Sequence, residues 1–180
     1  SGADGIFRKC ISINSKWSQC YNNYFQIYVR AAQRIYLAEE DPQPYLARAM
    51  ESIVKLRELG GQFLDLEQYH AVLQLITASD LVRRRQNPID ALTKLEAALN
   101  RCFAIAAQDA MCRAISAQAE WVAADWAAQH DKPVRPCLQR ALEKAELATK
   151  SPDSYPEAWQ VLAETQLRLA RAAVATSAAR

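Results

Sequence analysis

Leu46, Leu92 and Leu138 stand 46 residues apart, and a short proline-bearing turn precedes each: DPQP, then QNP, then DKPVRP. The same interval links Ala32, Ala78, Ala124 and Ala170, and again Phe25, Ala71, Ala117 and Ala163. No other feature constrains the fold as much. A unit this short cannot bury its apolar face alone, so copies at a fixed period must stack on one another. Proline fixes φ and biases its predecessor away from helix, while Asp or Asn can cap the helix that follows. Each copy therefore reads as two helices folded back on each other at the turn.

Apolar spacing agrees. In the last segment Trp159, Leu162, Ala163, Leu167, Ala170 and Val174 recur mostly at three and four residues, a helical face rather than the alternation of a strand. With only 4 glycines in 180 residues, little interrupts such helices. The predicted first helices run over 17–39, 64–86, 110–129 and 156–178, and the second helices over 45–59, 89–107 and 135–150. Gly60-Gly61 and the SPDSYP segment supply the remaining stops. Residues 6–14 match a second helix, since Phe7 and Ile13 lie one period before Ile53 and Leu59. The chain is expected to be all-α with about eight helices in one domain: a half-unit (1–14), units over about 15–60, 61–107 and 108–152, and a terminal helix within 153–180.

Several function classes recede on composition. The formal charge is +2, with basic and acidic residues interspersed, so nucleic-acid binding is not expected. No apolar run approaches the roughly 20 residues of a membrane span, and no secretory signal pattern is visible. An odd number of cysteines, 5, without C-x-x-C spacing suggests reduced thiols in the cytoplasm.

The candidate chemistry is sparse. Cys10 and Cys20 are ten apart, as are Cys102 and Cys112, two periods on; Leu56, Leu66, Ala148 and Ala158 fill those positions elsewhere. Apolar replacements favour packing, with a disulfide within either pair open if the Cα atoms come within about 7 Å. His70 and His130 lack the partners of a zinc site. Arg83-Arg84-Arg85 suits the negative end of a helix better than a phosphate, and Glu39-Glu40-Asp41 is a turn or contact segment. Neither a Gly-rich phosphate loop nor the H-R-D and D-F-G motifs of a kinase occur, and no catalytic residue, metal or cofactor is expected.

The segment Tyr155-Pro156-Glu157-Ala158-Trp159-Gln160-Val161-Leu162-Ala163 resembles the start of a tetratricopeptide (TPR) repeat, in a unit about a dozen residues longer than the usual 34. The turns Glu40-Asp41-Pro42-Gln43-Pro44 and Asp131-Lys132-Pro133-Val134-Arg135-Pro136 are similar to those of elongated repeats that follow the catalytic domain in some bacterial serine/threonine kinases. The resemblance implies a right-handed superhelical array of antiparallel helix pairs. It also implies a non-catalytic interaction module of a signalling protein, binding a peptide or helix on a concave face lined by the first helices. By register that face comprises Asn22, Gln26, Val29 and Arg30; Gln68, Val72, Leu75 and Ile76; Ala114, Gln118, Trp121 and Val122; and Gln160, Glu164 and Arg168. Trp121 would be the aromatic anchor; alternatively the aliphatic members simply pack between helices. A second reading is a self-assembly element, with a homodimer formed through the small, apolar C-terminal helix.

Overall fold

The computed structural model describes residues 2–60 and 63–178. Among them are eight helices and no strand: α1 (Gly2–Ile13), α2 (Ser18–Leu37), α3 (Gln43–Glu58), α4 (Leu64–Arg83), α5 (Ile89–Ile105), α6 (Ala110–Ala128), α7 (Arg135–Thr149) and α8 (Pro156–Ala178). The helices fall where the period places them, with ends displaced by up to a few residues. Among the described residues no helix is long and apolar enough to cross a membrane. Gly60 closes α3 with φ 78°, a left-handed conformation glycine adopts at no steric cost, while Gly61 lies outside the described residues.

Chemistry at the turns repeats with the same period. Glu39, Arg85 and Asp131, 46 residues apart, take left-handed φ values of 61°, 55° and 54°. The N–H one residue beyond each returns to a carbonyl of the last helical turn: Glu40 to Ile35 (3.0 Å), Gln86 to Leu81 (2.8 Å) and Lys132 to Ala127 (2.9 Å). This is the helix-ending motif that usually employs glycine, here built three times without one. The side chain of Asp41 accepts the Gln43 N–H (3.1 Å), and that of Asn87 accepts the Ile89 N–H (3.0 Å), starting α3 and α5 behind buried Pro42 and Pro88. At α7 the Asx position is Pro133, and Pro136 occupies the first helical turn, where its missing N–H has no intrahelical partner to lose.

Each first helix packs on its own second helix: α2 on α3, α4 on α5, α6 on α7. The first helices α2, α4, α6 and α8 also pack on one another in succession. Each second helix, α1, α3, α5 and α7, also packs on the first helix that follows it. Phe25, Ala71 and Ala117 are fully buried, as are Ala32 and Ala78, with Ala124 at 3%. Small side chains predominate at these positions because interaxial distance follows the side chains at the crossing.

Polar seams between units also recur. Arg83 Nη1 donates to Tyr36 O (3.2 Å), and Gln129 Nε2, one period later, donates to Val82 O (2.9 Å). Arg83 also reaches Glu40 O (2.9 Å), and Arg84 pairs with Asp41 (2.6 Å) and Asp80 (2.9 Å). The arginine run therefore caps the end of the preceding first helix, α2, in addition to lying at the end of its own. The acidic turn Glu39-Glu40-Asp41 is the other half of that contact.

Candidate functional site

An open groove of about 660 Å³ lies along the first helices. The C-terminal half of α2, α4 from Tyr69 to Val82, most of α6 and the N-terminal half of α8 line it. Val72, Leu75, Ile76 and Met111 contribute aliphatic surface, and Tyr36, Tyr69, Trp121 and Tyr155 contribute rings. Arg30 and Gln33 stand at the α2 end, Asp125, Glu157 and Arg168 at the α8 end.

The groove brings together Val29, Arg30, Val72, Leu75, Ile76, Ala114, Gln118, Trp121, Val122 and Arg168 of the residues expected on the concave face. It does not include Asn22, Gln26, Gln68, Gln160 or Glu164. Because the groove crosses the array obliquely, α2 before Val29, with Asn22 and Gln26, stays outside it, and Asn22 Oδ1 is enclosed without a hydrogen-bond partner among the described residues. Gln68 is engaged inside the protein, donating to Asp109 Oδ2 (3.0 Å). Glu164 pairs with Arg168 Nε (3.1 Å), and Gln160 is exposed beside the groove.

Trp121 is held from two sides. Its indole N–H donates to Thr165 Oγ1 (3.0 Å), and the Arg168 guanidinium lies 5.0 Å from its ring centroid while pairing with Asp125 (3.0 Å). This fixes the ring's orientation and leaves the residue half-buried. Burial raises the Tyr155 phenol to about 12, with help from the carboxylates of Asp109, Glu157 and Asp153, so it remains a neutral donor. Arg30 has no ion-pair or hydrogen-bond partner among the described residues and is exposed. The site thus offers fixed aromatic and aliphatic surface between charged ends.

Gln33, Ser79 and Asp125, a polar row on the groove, and Tyr69, Ile115 and Val161, an apolar one, lie outside the face that register implies. Both rows obey the 46-residue interval and were legible as such; only the helix packing shows which rows point inward.

Below α4, outside the groove, Glu67 forms a buried ionic cluster. Arg57 Nη2 lies 3.1 and 3.0 Å from its two oxygens, and Arg101 Nε lies 2.9 Å from Oε2. Both guanidinia also approach His70 Nδ1 (2.9 and 3.1 Å). Burial alone would raise the Glu67 carboxyl, but the His70 ring and the two arginines outweigh it and hold it at about 2. His130 donates from Nδ1 to Trp126 O (2.8 Å) at the end of α6.

The cysteine pairs do more than pack. Cys10–Cys20 and Cys102–Cys112 are disulfides, with Cα separations of 6.1 and 6.6 Å, each clasping a second helix to the next first helix; Cys137 is free. The apolar residues at the equivalent positions favour packing, and sequence spacing cannot show that two sulfurs face each other across the turn. Asp109 lies beside the second bridge, but its oxygens accept from Cys112 N–H (2.7 Å), as the N-cap of α6, and from Gln68. With both sulfurs bonded to each other, that trio offers no thiolate to a metal.

Comparison with protein-family models, curated proteins and solved structures returns no match.

Proposed function

We propose that this chain is a tetratricopeptide-like protein-interaction module, a right-handed superhelical array whose first helices present a groove to an amphipathic helix or extended peptide. The observation that carries this is the groove itself: a continuous surface from four successive first helices, apolar in the middle and charged at the ends. A helix in such a groove would bury its apolar stripe on Val72, Leu75 and Met111 and meet Arg30 and Asp125 with its flanks. The elongated unit and its Asp-Pro-x-Pro turn support a place beside a catalytic domain in a bacterial signalling protein, such as a serine/threonine kinase. Placement in the cytoplasm follows from that role. The two bridges pull the other way, because disulfides persist in oxidising compartments, and thiol trapping in intact cells separates the two.

The test is selection of binding peptides from a displayed library on the immobilised chain, followed by backbone NMR shift mapping. Support would be shifts concentrated on α2, α4 and α6 together with loss of binding in Leu75→Glu. Selected peptides that shift α3, α5 and α7 and bind Leu75→Glu as tightly as the parent would refute the groove.

A further inference from the structure

Between α5 and α7, on the side of α6 opposite the groove, lies a smaller cleft of about 320 Å³. The 46-residue interval explains why it is there. One unit earlier, the same wedge between α3 and α5 is filled from α4, where His70, Leu73 and Gln74 are all buried. Gln74 Nε2 reaches Met50 Sδ (3.7 Å), and Arg57 Nη2 lies 2.9 Å from His70 Nδ1. Two units earlier, register puts the α2 rings of Tyr24 and Tyr28 there, 4.7 Å apart, with Phe7 edge-on to Tyr24 (5.8 Å). In α6 the corresponding residues are Ser116, Ala119 and Glu120. Ser116 has no ring, Ala119 is smaller than Leu73, and Glu120 turns to Arg140 and Lys144 of α7 (2.8 and 2.6 Å). The cleft is the space of the missing ring.

Its walls suit a ring. Leu95 and Leu99 are buried along it, and Phe103 holds the position from which Arg57 meets His70 one unit earlier. A ring in the Ser116 slot would therefore face Phe103, which is half-buried and has no aromatic partner among the described residues. Two facing rings attract beyond their burial alone. A cavity of about 150 Å³ already holds benzene, so this one admits a single ring with a short chain. The rim is polar. Lys144 is engaged with Glu120, whereas Glu96 is exposed and has neither an ion pair nor a hydrogen bond among the described residues.

We propose that this cleft binds a small aromatic amine, its ring beside Phe103 in the space that His70 and Tyr24 fill in the earlier units, its ammonium on Glu96. An anion would meet the Glu96 carboxylate and find Lys144 already paired. An aliphatic amine would leave Phe103 without its ring. The cleft is separate from the groove and stands or falls independently of it.

The test titrates the isotope-labelled chain with phenethylamine, read by backbone NMR, with phenylacetate and butylamine as controls. Phenethylamine should give saturable shifts at Leu99, Phe103, Ser116 and Ala119, with Kd on the order of 1 mM for a ligand of this size. Phenylacetate should bind about fivefold more weakly, as one rim ion pair allows, and butylamine should give no saturable shift. Glu96→Gln, at an exposed position, should abolish the preference for amine over acid. Ser116→Tyr, which places the α2 ring here, should abolish binding. Ala119→Leu, the α4 residue at that position, is a second filling variant with the same expectation. Circular dichroism checks each variant for parental helicity. Phenethylamine shifts that do not saturate, phenylacetate binding as tightly as phenethylamine, an amine preference that survives Glu96→Gln, or full binding in a folded filling variant would each overturn the proposal.

Discussion

Replacing Glu67 by glutamine tests whether the buried ionic cluster contributes to stability or merely occupies space. The Glu67 side chain is 6% exposed and faces Arg57 and Arg101, whose own side chains are 38% and 42% exposed. Burial pushes the carboxyl up, and His70 with the two guanidinia brings it down from 4.5 to about 2. Because the folded value lies below the unfolded one, the stabilisation is full above pH 4.5 and is lost as pH falls toward 2. At about 1.4 kcal/mol per pH unit, that interval is worth about 3 kcal/mol. Glu67→Gln removes the charge and should cost about 3 kcal/mol at pH 7, the low end for breaking a buried pair, since both arginines can still reach water. Urea unfolding followed by circular dichroism, at pH 7, 5 and 3, measures the gap between parent and variant. The gap should be similar at pH 7 and 5 and clearly smaller at pH 3, because every other carboxylate titrates alike in both proteins. A gap unchanged between pH 7 and pH 3 would refute the assigned electrostatics and leave only packing.

Further outcomes are expected at the helix ends, the bridges and Trp121. Arg85→Gly should stabilise the fold by roughly 0.5–1 kcal/mol, since relief of left-handed strain exceeds the added freedom of the unfolded chain, whereas Gly60→Ala should cost about 1 kcal/mol; both read out as shifts in the thermal midpoint. Reduction should cost about 2–3 kcal/mol per bridge, given the short loops each closes. Alkylation of the unfolded, unreduced chain should modify Cys137 alone, as mass spectrometry would show. Trp121→Phe should lose about 1 kcal/mol with the indole–Thr165 hydrogen bond, and Thr165→Val in that background should cost less than it does alone.

Much of the helical framework was legible because its causes are local. Proline and Asx chemistry sets the breaks at residues 41–44, 87–88 and 133–136, apolar spacing sets the helices between them, and the 46-residue interval carries both from unit to unit. The unglycined helix ends at Glu39, Arg85 and Asp131 left no residue-type signal, because a left-handed C-terminal residue is normally announced by glycine and here ordinary, exposed side chains occupy it. The groove was half legible. Val72, Gln118 and Trp121 were placed by register, while Gln68 and Glu164 passed for surface contacts although each bonds within the protein.

Sequence by itself determined that the chain is helical, how many helices it forms and where they turn, because backbone propensity and periodicity act over a few residues. Only the tertiary structure decided which sulfurs meet, that Glu67 sits between two arginines from different helices, and which rows of the first helices face the groove. Those facts depend on the angle and slip of each helix against its neighbour. Small side chains at the crossings set both, jointly along the stack, and no single repeat contains that information.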